Sequence, residues 1–176
     1  VSLAGDTPLS GFFDTKSGVY SGLKWHEVLA RLSCDHLVPV LDENGRAGYA
    51  SRETGEIAIP CMYAGVYPGV FSEGVAVALW ADITPEQTED AFLINETGAI
   101  IPLPPGITAV YGASAQCGRI LIRDKETEQY GYADLEGHVV IEPVFSYADD
   151  FENGIARAEK DGIFVLIDLS GNLITK

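Results

Sequence analysis

The sequence predicts an all-β protein of tandem repeats, each of about three antiparallel strands (a hairpin plus a third strand), stacked into a curled array with a short N-terminal helix as its cap. Three observations carry that reading. The phrase FENGIARAEKDG (151–162) has a counterpart in FSEGVAVALWAD (71–82). The stretches before them match in the same order, RAGYASRETGEIAIP (46–60) with QYGYADLEGHVVIEP (129–143), sharing Gly48/Gly131, Tyr49/Tyr132, Ala50/Ala133, Gly55/Gly137 and Pro60/Pro143. Between the turns, β-branched residues and apolar–small alternation give the period of two that belongs to half-buried strands.

The elements follow in chain order. Residues 1–35 are expected to form an N-terminal cap with one helix: in SGLKWHEVLARLS (21–33), Trp25, Val28, Leu29 and Leu32 stand at i, i+3, i+4 and i+7, and Ser21 is placed to cap them. Residues 36–176 form the β-repeat array. HLVPVLDENG (36–45) reads as the last strand of a partial copy, and copies follow at about 46–80, 89–124 and 129–160, with a second partial copy at 162–176. The middle copy is worn, keeping the turn in AFLINETGAIIP (91–102) and the third strand in CGRILIRD (117–124).

Within each copy a β-rich run, a turn ending in Gly and a second run closed by proline read as a hairpin. The turn glycines Gly55, Gly98, Gly137 and Gly171 supply a positive φ without a Cβ clash. An isolated hairpin covers too little of its apolar face to offset the entropy of ordering it, so neighbouring units must cover one another. Ile59, Phe71, Ile101, Ile141, Phe151 and Leu166 are the expected core, each contributing on the order of 1.5–3 kcal/mol when fully buried. The pattern suits an open twisted array and equally closure into a barrel or a propeller-like ring.

Composition narrows the function. The 176 residues are 47% hydrophobic and 21% charged, as in an ordinary folded chain. Eleven Lys and Arg against twenty-six Asp and Glu give a net charge of −15, so nucleic acid and anionic bilayers are repelled. The longest uncharged stretch, Thr97 to Gly118, is interrupted by Pro102, Pro104, Pro105, Gly106 and Gly112 and reads as strand and turn, not as a transmembrane segment. Cys34, Cys61 and Cys117 lie far apart without a C-x-x-C pair, which reads as buried free thiols, or as one disulfide and one free thiol in an exported protein. No signal peptide is legible in VSLAGDTPLSG, and the compartment stays open, a cell-surface or secreted setting being favoured over the cytoplasm.

The aromatic-Gly-aromatic hairpin, the turn Gly, the proline and the F-x-x-G-x-A phrase occur in one order, and over residues 36–174 the chain resembles the WG-repeat family of bacterial proteins. Family repeats open with Trp-Gly; here the Trp position holds Tyr130, Phe164 or alanine. The resemblance implies an all-β repeat array, commonly part of a larger protein, and implies no reaction.

No catalytic residue, metal ligand set or cofactor site is written in the sequence. His26, His36 and His138 lack ligand spacing, Cys34 and His36 read as strand neighbours, and no phosphate-binding or nucleophile-elbow motif occurs. The acidic runs YADDFENG (147–154) and LDENG (41–45) lack the spacing of a calcium loop and read as turns. Extra aromatics in the variable loops, Tyr63, Tyr67, Tyr111 and Tyr147, are the candidate ligand-binding residues, suited to stacking on a sugar or gripping a peptide, and equally to plugging gaps between hairpins. The expected function is a non-catalytic binding or scaffolding module contacting a protein, peptide or cell-wall glycan through the repeat surface. The alternative is an enzyme or calcium-dependent protein with a loop-carboxylate site.

Overall fold

The computed structural model describes residues 9–30, 34, 36–65, 69–82 and 90–174. Two compact units divide the chain, Val1–Pro68 with Trp80–Gln87 and Gly69–Leu79 with Thr88–Lys176. The described residues hold fourteen strands, no α-helix and four small antiparallel sheets, none closed into a barrel. The first unit contains one sheet in the order β1 (Glu27–Val28), β2 (Leu37–Leu41), β3 (Arg46–Ser51), β4 (Ile57–Ala64). The second contains three. These are β5 (Val75–Ala78), β6 (Phe92–Asn95), β7 (Ile100–Ile101); then β8 (Ile107–Ala109), β9 (Ile120–Asp124), β10 (Tyr130–Ala133), β11 (Val139–Phe145); then β12 (Tyr147–Ala148), β13 (Ile155–Lys160), β14 (Ile163–Asp168).

The expected N-terminal helix is corrected to extended chain. Glu27 and Val28 pair with Leu41 and Val40, and the N–H groups of His26 and Leu29 donate to the carbonyls of Leu41 and Pro39 at 2.9 Å. The free edge of β2 satisfies these backbone groups, and that tertiary pairing overrides a helical spacing only four residues deep. Leu32 lies outside the described residues. Ser21 caps no helix: its buried hydroxyl accepts from the Phe12 N–H at 2.9 Å and its own N–H donates to the Phe12 carbonyl, closing a loop over residues 12–21.

The repeat of the sequence and the sheet of the structure are out of phase by one strand. In the copy at 129–160 the hairpin β10–β11 belongs to one sheet while the third strand, β13, is the central strand of the next and pairs with β14 from Ile155↔Asp168 to Lys160↔Ile163. Chain geometry decides this. Only Asp161 and Gly162 separate β13 from β14, both at positive φ (53° and 76°), a two-residue turn whose twist matches paired strands. The loop between hairpin and third strand is longer, so the sheet divides there. Each third strand therefore ties its own copy covalently to the next sheet.

The two look-alike passages share one backbone shape. In the first unit Ala47 pairs with Tyr63 and Tyr49 with Ile59; in the second Tyr130 pairs with Phe145 and Tyr132 with Ile141. One glycine thus faces three residues, Gly48 opposite 60–62 and Gly131 opposite 142–144. At this bulge the strands close in on the missing side chain: a Cβ on Gly48 would lie 2.6 Å from the Ile59 carbonyl oxygen, and one on Gly131 2.4 Å from that of Ile141. The pairing also shifts one alignment. Cys61, not Pro60, is the counterpart of Pro143, and both prolines lie inside strands rather than ending them, since an edge strand at a bulge does not need their N–H.

The turns that lead into the third strand agree in three copies, two of them F-x-x-G and one Ala115-x-x-Gly118. Glu73-Gly74, Cys117-Gly118 and Asn153-Gly154 all have positive φ at both residues, and each is closed by a bridge, Ser72↔Val75, Gln116↔Arg119 and Glu152↔Ile155. Two of them are stapled together: the Glu73 carboxylate accepts the N–H groups of Cys117 (2.9 Å) and Gly118 (2.7 Å), and the Ser72 hydroxyl donates to the Ala115 carbonyl at 2.6 Å.

Within the second unit the alternation of side chains divides two cores between the faces of one sheet. Ile120, Ile122 and Ala133 pack with Val75, Val77, Ala91 and Leu93 of β5–β6 and their flanks. Their strand neighbours Leu121 and Tyr132 pack on the opposite side with Ala148, Phe151, Ala156, Ala158 and Ile167. Sheets cover one another, as the weakness of a lone hairpin requires. Of the expected core, Ile59, Phe71, Ile141 and Phe151 are buried and Ile101 is half-buried. Leu166 is corrected: it is 45% exposed, because β14 turns Ile167 inward and Leu166 to the other face. The three cysteines are free and half-buried rather than buried.

Candidate functional site

The second unit contains a cleft of about 400 Å³. Its walls are Leu79, Asp90, Ala91, Thr108, Ala109, Val110, Tyr111, Arg123 and Tyr130. Strand pairing places them. Thr108 sits opposite Arg123 in the β8–β9 ladder, and Arg123 opposite Tyr130 in the β9–β10 ladder, so three adjacent strands present one row of side chains. The Thr108 hydroxyl is buried and donates to the Ala91 carbonyl at 2.9 Å, fixing the segment that carries Asp90. Tyr111 stands at the mouth with 41% of its surface exposed.

Charge in the cleft is internally matched. Asp90 pairs with Lys125 (2.9 Å) and Arg123 with Glu128. A second depression of about 260 Å³, lined by the segment Ile100–Ile107 with Lys125, shares Asp90 and Ala91 with the first. The two depressions adjoin at Asp90 and Ala91, with aromatic, prolyl and paired polar groups around them.

The four candidate aromatics fall into different settings. Tyr111 lines the cleft. Tyr63 is 2% exposed and packs on Trp80, ring centres 5.7 Å apart, and burial raises its phenol pKa. Tyr147 lies on β12, edge-on to Phe164 at 6.0 Å, with the Arg157 guanidinium 5.5 Å from its ring centre. Tyr67 lies outside the described residues. Asp90, Thr108, Arg123 and Tyr130 were not singled out by sequence. Tyr130 alone carried a signal, as the first residue of the best-preserved hairpin.

The acidic runs act as turns. In DENGR, NETGA, DLEGH and DLSGN one side-chain oxygen accepts the N–H groups two and four residues on: Asp42 from Asn44 and Arg46, Asn95 from Thr97 and Ala99, Asp134 from Glu136 and His138, Asp168 from Ser170 and Asn172. Asp134, Glu136 and His138 bring ligand atoms within 4.8 Å of one another, but on an exposed turn rather than in a cleft. Burial works against ionisation of Asp134, yet the N–H and ring of His138 outweigh it and hold the carboxyl below its ordinary range. In YADDFENG, Asp149 pairs with Arg157 (3.0 Å) and Asp150 accepts the Ser114 N–H (2.9 Å).

In the first unit Asp14 organises the turn 14–18. It accepts the N–H groups of Lys16 and Ser17 and the Ser17 hydroxyl, and pairs with Arg52 at 2.9 Å. The Ser17 N–H first, then Arg52 and the Ser17 hydroxyl, lower its pKa from 3.8 to about 2. A depressed carboxyl stabilises the fold fully above its unfolded value and progressively less as pH falls through the folded one. Wild type is therefore expected to lose stability between pH 4 and pH 2 more steeply than Asp14→Asn, measured by urea unfolding at stepped pH.

Comparison with known families gives one match: residues 130–162 fit the family described as WG containing repeat. The chain carries a WG repeat. The matched segment runs from Tyr130, on the cleft wall, through β11 and the Asn153-Gly154 turn to the hairpin turn Asp161-Gly162. Tyr130-Gly131 stands at the WG position, so the glycine demanded by the bulge is kept where the tryptophan is not. Among solved structures, BamB from Moraxella catarrhalis is similar over 99% of this chain and 66% of its own, with 13% identity and a TM-score of 0.51. The computationally designed Ika8 protein aligns over 96% of this chain and 55% of its own, with 15% identity and a TM-score of 0.49. The chain thus spans just under two thirds of the BamB chain, and at this identity the likeness concerns the fold alone. No curated protein matches the sequence. Among the described residues no helix is long and apolar enough to cross a membrane.

Proposed function

We propose that this WG-repeat chain is a non-catalytic binding module that holds a neutral saccharide, of the kind found in cell-wall glycans, in the groove beneath Tyr111. The observation that carries this reading is the combination of an exposed aromatic ring at the mouth with charges already matched inside, Asp90 with Lys125 and Arg123 with Glu128. Sugars present an apolar C–H face to a ring and hydroxyls to paired polar groups, and need no net charge from the site. The chain's −15 charge also disfavours anionic ligands. The second depression beyond Lys125 gives room for a further sugar ring.

Titration calorimetry with N-acetylglucosamine trimer, cellotriose and maltotriose tests this, a neutral tetrapeptide serving as control. One trisaccharide is expected to bind, and Tyr111→Ala to weaken it about tenfold while Tyr111→Phe keeps most of the affinity, a loss of about 1.4 kcal/mol. Absence of saccharide binding at millimolar concentration, preference for the peptide, or unchanged affinity in Tyr111→Ala would each overturn the reading.

A further inference from the structure

The loop that presents Tyr111 is tied on one side to its own strand ladder and on the other to a carboxylate of the next copy. Tyr111 and Gly112 are the central residues of a tight turn, closed by the Ala113 N–H on the Val110 carbonyl at 3.0 Å, with Gly112 at φ +86 as a type II turn requires. Before the turn, the Val110 N–H donates to the Leu121 carbonyl at 3.2 Å. After it, the Ser114 N–H donates to the Asp150 carboxylate at 2.9 Å, across 36 positions of sequence. One residue further on, the Ala115 carbonyl accepts the Ser72 hydroxyl. Asp150 holds Ser114 at a cost. Its Oδ1 is buried with no hydrogen-bond partner among the described residues, and its charge stands beside that of Asp149. Burial first, then Asp149, push its carboxyl above the ordinary value of 3.8, and the Ser114 N–H offsets them only in part. A carboxyl raised in this way stabilises the fold below its unfolded value and ceases to do so as pH rises through the folded one, so ionised Asp150 burdens stability at neutral pH. What its charge does serve is the turn under the ligand site.

We infer that Asp150 is a positioning residue for the cleft, its carboxylate holding the Tyr111 turn in the attitude that a bound saccharide meets. The ligand in this statement rests on the saccharide reading; the hold on the turn does not. The surroundings leave Asp150 as the group that titrates against the turn. From Val110 to Gln116 the loop has no acid or base besides the Tyr111 phenol. Asp149 is committed to Arg157 of β13 at 3.0 Å and to the Tyr147 hydroxyl of β12. Tyr132 of β10 gives its hydroxyl to the Asp149 carbonyl, and burial, followed by the charges of Asp150 and Asp149, pushes its phenol far above neutrality, so it stays uncharged. Beyond the loop, Glu73 is engaged with the N–H groups of Cys117 and Gly118, and Arg119 with the Leu169 carbonyl. An ionised acceptor makes the stronger bond, so protonation of Asp150 weakens its hold on Ser114 and loosens the turn.

Hydrogen exchange of the ligand-free chain by NMR, read as protection of the Ser114 amide relative to its intrinsic rate, tests the hold. Asp150→Ala is expected to lower that protection about tenfold with an unchanged circular dichroism spectrum. Asp150→Asn, which keeps an uncharged acceptor, is expected to lower it less and to unfold in urea at pH 7 no more readily than wild type. In wild type, protection is expected to fall between pH 7 and pH 4.5, where an aspartate at the ordinary 3.8 is still mostly ionised, and in Asp150→Asn to stay level. Calorimetry with the trisaccharide that binds is expected to show wild-type affinity following the same pH profile and a loss of about fivefold in Asp150→Ala. Should Asp150→Ala lose its fold, the pH profile of wild type against Asp150→Asn decides alone. Unchanged Ser114 protection in Asp150→Ala, a level wild-type profile, an equal fall in Asp150→Asn, or affinity untouched although the turn has loosened would each overturn the inference. If wild type binds no trisaccharide while the exchange results hold, the saccharide reading falls and Asp150 still positions the turn.

Discussion

Gly131→Ala is expected to destabilise the second unit by about 2–4 kcal/mol, the scale of an overpacked site that cannot relax. The added Cβ would lie 2.4 Å from the Ile141 carbonyl oxygen and 2.7 Å from the Pro143 nitrogen, both backbone atoms held in the β10–β11 ladder. Neither atom is the end of a flexible side chain, so relief requires opening the bulge and, with it, the Tyr132↔Ile141 pair that closes the core below. Gly154 provides the contrast. It has φ +82 and nothing within 4 Å of the position a Cβ would take, so Gly154→Ala meets only left-handed backbone strain, about 1–2 kcal/mol. Urea unfolding of both variants, with the parallel pair Gly48→Ala and Gly74→Ala, should rank the bulge glycines above the turn glycines. The opposite order would mean that the bulge yields.

The same glycines show what was legible in the sequence and what was not. Repetition gave the hairpins, the turn glycines and the F-x-x-G turns, because each depends on residues a few positions apart. The role of Gly48 and Gly131 was hidden, since both keep ordinary φ and are required by a strand some ten residues away. Helical spacing at Trp25, Val28 and Leu29 misled for a related reason: the free edge of β2 captures Glu27 and Val28. The phase between repeat and sheet followed from loop length, which Asp161-Gly162 already spelled out. For the site, Tyr111 was reachable as a loop aromatic. Asp90 meets Lys125 across 35 positions, and Thr108 meets Arg123 only through β8–β9 pairing, so no local pattern pointed to them.

Phe151→Ala should be the most damaging truncation in the second unit, costing about 3–5 kcal/mol. Phe151 is 2% exposed, with its ring centre 4.7 Å from that of Tyr132 and a 55° tilt between them. The two rings come from different elements. Tyr132 projects from β10, and Phe151 from the start of the F-x-x-G turn that leads into β13. The Tyr132 hydroxyl donates to the Asp149 carbonyl at 2.7 Å, so the ring is anchored at its polar end as well as its face. Removing Phe151 opens a cavity among Ile141, Ala148, Ala156 and Ile167, where the alanines are too short to fill it. A Tyr132→Phe variant removes only the hydroxyl and leaves the Asp149 carbonyl without that donor, about 1 kcal/mol. A cycle of Phe151→Ala with Tyr132→Ala should give a coupling of about 0.5–1.5 kcal/mol for the ring pair. If the two truncations simply add, the sheets hold together by shape alone, and the recurring aromatic of the repeat has no specific partner.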